Sequence, residues 1–77
     1  MPRTSDRQRI AQDIRDKIAS GEYQPGDKLP SLRELTAQYQ VSAEPVRSAI
    51  LILQAEGLLE GHQGKGVYVT TPAKDAD

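Results

Sequence analysis

The sequence predicts a small, mainly helical α+β fold: three helices followed by a two-stranded hairpin. Three observations lead there. Apolar residues recur at helical spacing in three stretches. A Ser-x-x-Glu box and a Pro-Gly pair punctuate those stretches. Near the end, a glycine-rich tip separates two short extended runs.

The first helix is expected over residues 6 to 20. Ile10, Ile14 and Ile18 fall four apart with Ala11 beside them, which draws one apolar stripe. Arg7, Arg9, Asp13, Arg15, Asp16 and Lys17 fill the wet sides. Gly21 is a natural stop, because glycine tolerates the left-handed conformation that ends helices. "EYQPGDKLP" follows. Pro25 and Gly26 suit a type II turn, Lys28 and Leu29 a very short strand, and Pro30 keeps that strand from extending.

"SLRELTAQYQ" begins with Ser31 and places Glu34 three residues later, a capping box. It opens a second helix over about residues 31 to 38, with Leu32, Leu35 and Tyr39 facing inward. The third helix runs to about Glu56 with Val46, Ile50 and Leu53 as its buried stripe. Two starts are open for it. Ser42 caps it, or it begins nearer Pro45, since a proline is tolerated in a first turn but disfavours helical geometry at Glu44. Leu58 to Glu60 and Val67 to Thr70 then form a hairpin around Gly61, Gly64 and Gly66.

About three residues join the second and third helices, which suits a helix-turn-helix, and the appended hairpin suggests the winged variety. One domain over residues 6 to 70 is expected, with a flexible segment at 1 to 5 and a polar tail or linker at 71 to 77. No internal repeat and no second domain is read, so no small-molecule effector domain is expected in this chain.

Composition narrows the function. The 77 residues carry a formal net charge of −1, so any nucleic-acid site must be a local patch. The chain has no cysteine and a single histidine, His62, which excludes a thiolate metal site or a histidine cluster. No cofactor is expected, and no paired acid/base cluster suggests an enzyme. No run approaches a membrane span and no signal peptide opens the chain, so a cytoplasmic domain is expected.

"SGEYQPGDKLPSLRELTAQYQVSAEPVRSAI" followed by "AEGLLEGHQGKGVYV" resembles the DNA-binding domain of GntR-family bacterial transcription regulators. The resemblance covers about residues 8 to 69, with several motifs in order and at matching spacing. It implies a winged helix-turn-helix whose third helix lies in the major groove of double-stranded DNA, with the wing at the adjacent minor groove. It also implies a homodimer on a palindromic operator.

Carried over residue by residue, the resemblance makes Arg47 the main base reader. A guanidinium fork can donate to both guanine acceptors, worth about 1–3 kcal/mol of discrimination. The bland alternative is an ion pair with Glu44, three residues earlier. Arg33 matches a family arginine that contacts DNA. At the second position of its helix it meets an unfavourable dipole, which a bound phosphate would offset. Ser42 could cap its helix and also donate to phosphate, with Ser48 beside Arg47. Ala43 and Pro45 stand where the family often has arginine and threonine. Ala43 offers only apolar contact, and Glu44 repels phosphates but can accept from cytosine. "AEP" is therefore expected to narrow or shift the base preference. Gly64, Lys65 and Gly66 match the wing tip, with His62 and Gln63 as neighbours able to donate. Lys28 and Ser31, flanking the start of the second helix, are candidate backbone contacts.

Leu51 and Ile52 lie off the expected stripe, where the family often has polar residues. Either Ile52 packs against the first helix or the hairpin and Leu51 is merely exposed, or the two form a protein contact. Tyr23, Tyr39 and Tyr68 read as core or half-buried residues rather than base-stacking platforms. "GHQGKG" is no P-loop, because neither Ser/Thr nor a helix follows the lysine. Sequence-specific DNA binding is the expectation. The alternatives are a winged-helix protein-interaction module and a nonspecific nucleic-acid binder.

Overall fold

A computed structural model describes residues 5–71. The elements run α1 (Asp6–Ser20), α2 (Leu32–Tyr39), α3 (Ala43–Ala55), β1 (Leu59–His62) and β2 (Gly66–Val69). Of the segments expected to be flexible at 1–5 and a polar tail or linker at 71–77, residues 1–4 and 72–77 lie outside the described residues.

Each helix start has a local cause. Ser5 accepts from the Gln8 amide at 3.3 Å and opens α1. Gly21 closes it in the left-handed conformation, with φ 90°. At α2 both halves of the capping box form. The Glu34 amide donates to Ser31 Oγ (3.1 Å), and the Ser31 amide donates to Glu34 Oε1 (2.8 Å). Gln40 ends α2 at φ 58°, and the Val41 amide reaches back to the Thr36 carbonyl. Residues 40–42 are thus the whole turn between α2 and α3.

The start of α3 settles the two openings left by sequence. Ser42 stands at the N-cap position, yet its side chain makes no capping bond. The cap bonds of α1 and α2 both go to the amide three residues on, and three residues after Ser42 stands Pro45, which has no N–H. The helix therefore begins before Pro45, with the proline in its first turn and the serine hydroxyl unused.

The core joins every element: Ile10, Ala11 and Ile14 from α1, Leu35 from α2, Val46, Ala49 and Leu53 from α3, Leu59 and Val69 from the hairpin, and Leu29 from the connection. Burying each large side chain stabilises by about 1.5–3 kcal/mol. The expected α3 stripe needs one correction. Ala49 is fully buried, whereas Ile50 is half-buried. α1 packs mainly on α3. Arg15 ties the same pair of elements, donating to Glu56 from Nε (3.0 Å) and Nη2 (2.8 Å). That pairing, made through the hydrogen bonds, raises the Arg15 pKa. Tyr39 links α2 to α1 by donating to Asp13 Oδ2 at 2.6 Å.

The hairpin pairs Leu59 with Val69, Glu60 with Tyr68, Gly61 with Val67 and His62 with Gly66. Its strands sit one or two residues from the expected bounds. The expected strand at Lys28 and Leu29 is a single antiparallel bridge to Tyr68, with the Leu29 amide donating to the Val67 carbonyl (2.8 Å). Gly26 has φ 90° and the Asp27 amide donates to the Gln24 carbonyl, as the type II turn requires. Three helices with a two-stranded antiparallel wing make this a winged helix-turn-helix. No described helix is long and apolar enough to cross a membrane.

Candidate nucleic-acid interface

Two shallow clefts meet between the start of α2, the middle of α3 and the wing. One, of about 370 Å³, is bordered by Lys28, Ser31, Lys65 and Gly66 over Leu32 and Ile50. The other, of about 290 Å³, is bordered by Arg47 and Leu51 over Leu32, Ile50 and Val67. Because Leu32, Ile50 and Val67 belong to both, the clefts form one surface. It has an apolar floor and a rim carrying Lys28, Arg47 and Lys65.

The fold builds that rim in three steps. The bridge from Lys28 to Tyr68 lays the connection before α2 along β2. The Lys28 stem then crosses Gly66, where an added Cβ would lie 2.9 Å from Lys28 Cε. Gly66 has φ 120°, a conformation that side chains rarely adopt, so the backbone here calls for glycine, while the exposed end of Lys28 is free to swing aside. At the tip, the Lys65 amide donates to the His62 carbonyl (2.9 Å) with Gly64 at φ 76°, which turns the chain and presents Lys65.

Charge is divided across the molecule. On α1, Arg9 pairs with Asp6 (3.6 Å), Lys17 with Asp13 (3.4 Å) and Arg15 with Glu56 (2.8 Å), while Arg7 near the helix start is exposed and unpaired among the described residues. Lys28, Arg33, Arg47 and Lys65 are exposed and make no ion pair among the described residues. The Glu44–Arg47 pair, the bland alternative for Arg47, does not form among the described residues. A net charge of −1 thus conceals an unneutralised basic side.

The structure distributes the expected site residues unevenly. Lys28, Ser31, Arg47 and Lys65 line the joined clefts. Arg33 is exposed in the first turn of α2. Ser42 and Glu44 are exposed at the start of α3, and Ala43 and Ser48 are half-buried there. Gln63 and Gly64 are exposed at the wing tip. His62 is held within the hairpin: its ring meets Tyr68 edge-on at 5.0 Å between centroids, and its Nε2 lies 3.7 Å from Glu60. Leu51 and Ile52 part company. Leu51 is 64% exposed on the cleft, while Ile52 is half-buried and borders a hollow with Ala11, Arg15 and Glu56. Leu32, Ile50 and Val67 are not among the expected site residues, while Gly66 is expected only as part of the wing tip. The signal for Gly66 lay in the second glycine of "GKG". The others carry no polar group to mark them.

Residues 6–69 match the model of the family described as bacterial regulatory proteins, gntR family. This chain belongs to that family. Among GntR relatives, the Exu regulon transcriptional regulator of Escherichia coli K12 is 39% identical over 64 residues, covering 83% of this chain and 25% of that protein. The Uxu operon regulator of Haemophilus influenzae is 44% identical over 61 residues, covering 79% and 23%. The chain thus spans about a quarter of the length of these curated relatives. Among solved structures, the AraR DNA-binding domain in complex with operator ORX1 superposes with a TM-score of 0.85 at 32% identity. That match covers 88% of this chain and 82% of that one. A GntR family transcriptional regulator from Listeria monocytogenes gives a TM-score of 0.87 at 28% identity, over 94% and 63%.

Proposed function

We propose that this chain is the DNA-binding part of a bacterial transcriptional regulator, and that it binds double-stranded operator DNA sequence-specifically. One observation carries the reading. The unpaired cations Lys28, Arg47 and Lys65 border a single surface between α2, α3 and the wing. The AraR domain that superposes on this scaffold was solved with its operator.

α3 then enters the major groove, where Arg47 donates to guanine O6 and N7. Arg33, Lys28 and the hydroxyls of Ser31 and Ser42 hold phosphates and fix the register. The Ser42 hydroxyl is available because it makes no capping bond. Ser48 and Ala43 lie at the groove wall. Lys65, with Gly64, Gln63 and His62 at the wing tip, approaches the minor groove. Two copies on a palindromic operator would present two such surfaces, as a two-fold site demands. Membership in a family of bacterial regulators supports action in the cytoplasm and a binding rather than a catalytic role.

The exposure of Leu51 favours a second reading, a protein-interaction module. Titrating the protein with DNA from upstream of its own gene, and with a scrambled duplex, separates the readings. DNA binding predicts preference for the upstream duplex, with affinity falling as salt rises. Equal affinity for both duplexes indicates a nonspecific binder. Binding to neither at low salt leaves the protein-interaction reading standing.

A further inference from the structure

Glu44 is the residue that phosphate binding does not explain, since a carboxylate beside a DNA-facing surface opposes it. All three helices carry an acid in the first turn: Asp6, Glu34 and Glu44. Two of these are engaged internally. Asp6 lies 3.6 Å from Arg9, three residues on, and Glu34 accepts from the Ser31 amide at 2.8 Å. Arg47 stands at that same three-residue spacing from Glu44. Yet Glu44 is exposed and makes no ion pair or side-chain hydrogen bond among the described residues. The anion and the cation on this face of α3 are both left unneutralised.

We propose that Glu44 is a specificity-determining residue, whose carboxylate accepts from the amino group of a cytosine beside the base pair read by Arg47. The proposal rests on the reading of α3 as the major-groove helix. The donor code of that groove supports it. A carboxylate can only accept. Cytosine offers its N4 amino donor, guanine and thymine present acceptors, and adenine pairs its donor with an N7 acceptor. Residues three apart on a helix have Cβ atoms about 5–6 Å apart. That separation reaches one base-pair step further than a single contact, so the two side chains read neighbouring pairs. Glu44 acts as much by rejection as by attraction. Against any other base its charge is desolvated beside acceptors, and near phosphates it repels. The competing account is structural: an acid in the first turn favours the helix dipole. That account predicts an effect on stability and none on base choice.

The test is selection of bound sequences from a random duplex pool by the wild-type chain. Wild type, Glu44→Gln and Glu44→Ala are then titrated with the selected duplex, its single-pair variants and random DNA, and melting is measured alongside. The wild-type site is expected to carry a cytosine next to the guanine whose preference Arg47→Ala abolishes. Replacing that cytosine weakens wild-type binding roughly tenfold or more. Glu44→Ala becomes indifferent at that pair and binds random DNA more tightly. Glu44→Gln shifts toward adenine, because an amide can both donate and accept. Unchanged base preference in both variants, whatever their melting, overturns the role given to Glu44 while leaving DNA recognition intact. Failure of the wild type to select any sequence overturns both.

Discussion

Replacing Tyr39 by phenylalanine removes one hydroxyl and keeps the ring that packs between α1 and α2. That hydroxyl donates to Asp13 Oδ2 at 2.6 Å, a bond to an ionised acceptor. Such bonds contribute about 1.5–3 kcal/mol when shielded. The Asp13 side chain is 44% exposed and also meets Lys17 at 3.4 Å, so water and the lysine recover part of the loss. The expected cost is about 1 kcal/mol, which lowers Tm by roughly 4–8 °C in a domain of this size. A pH signature accompanies it. Burial first, and then the bond to Asp13, raise the Tyr39 pKa above the ordinary value for tyrosine. A raised pKa in the folded state means that the contribution is fully present below the unfolded value, about pH 10, and is lost as pH rises beyond it. Thermal melting of wild type and Tyr39→Phe from pH 7 to pH 11 is the assay. The gap between them should be constant at neutral pH and shrink above pH 10. Equal melting at pH 7, or a gap that widens in alkali, would refute the reasoning.

Other outcomes follow from the same surface. Arg47→Ala should melt within about 0.5 kcal/mol of wild type, because the side chain is exposed and unpaired. Its discrimination between specific and scrambled duplexes should fall by about 1–3 kcal/mol in a competition assay. Lys65→Ala should weaken all duplexes alike and reduce the salt slope by about 1, measured by titration at several salt concentrations. Ile52→Lys should lower the melting temperature, because that side chain lies half-buried against α1. Leu51→Lys should not, since Leu51 is 64% exposed. Equal effects of the two would contradict the placement of the residues.

Much of this fold could be read before any coordinates. α1 ends where Gly21 supplies the left-handed residue, and α2 starts where Ser31 and Glu34 can satisfy each other's amides. Those signals are local, so sequence carries them. What sequence left open depended on neighbours. The expected stripe put Ile50 in the core of α3, whereas Ala49 is fully buried there and Ile50 stands beside Val67 of the wing at the cleft. For Leu51 and Ile52 the sequence left two readings open, and their placement agrees with the first, Ile52 toward α1 and Leu51 exposed. The roughly 100° between successive helical residues sends one to the cleft and the other to α1. The Ser42 cap failed for a reason visible only once the helix start was known: Pro45 occupies the position of the missing donor. At the interface, arginines and lysines announced themselves by type. The apolar floor of Leu32, Ile50 and Val67 did not, because three distant segments build it.

In the proposed complex DNA is held by α3 and the wing, and the α1 face carrying Gln12, Asp16 and Ala19 stays free. The most direct measurement is a backbone amide spectrum of the labelled domain, recorded while DNA from upstream of its own gene is added. Resonances of Arg33, Ser42, Glu44, Arg47, Gly64 and Lys65 should shift together and saturate, while Gln12, Asp16 and Ala19 stay in place. Shifts concentrated on α1, with Arg47 and Lys65 unmoved, would contradict it.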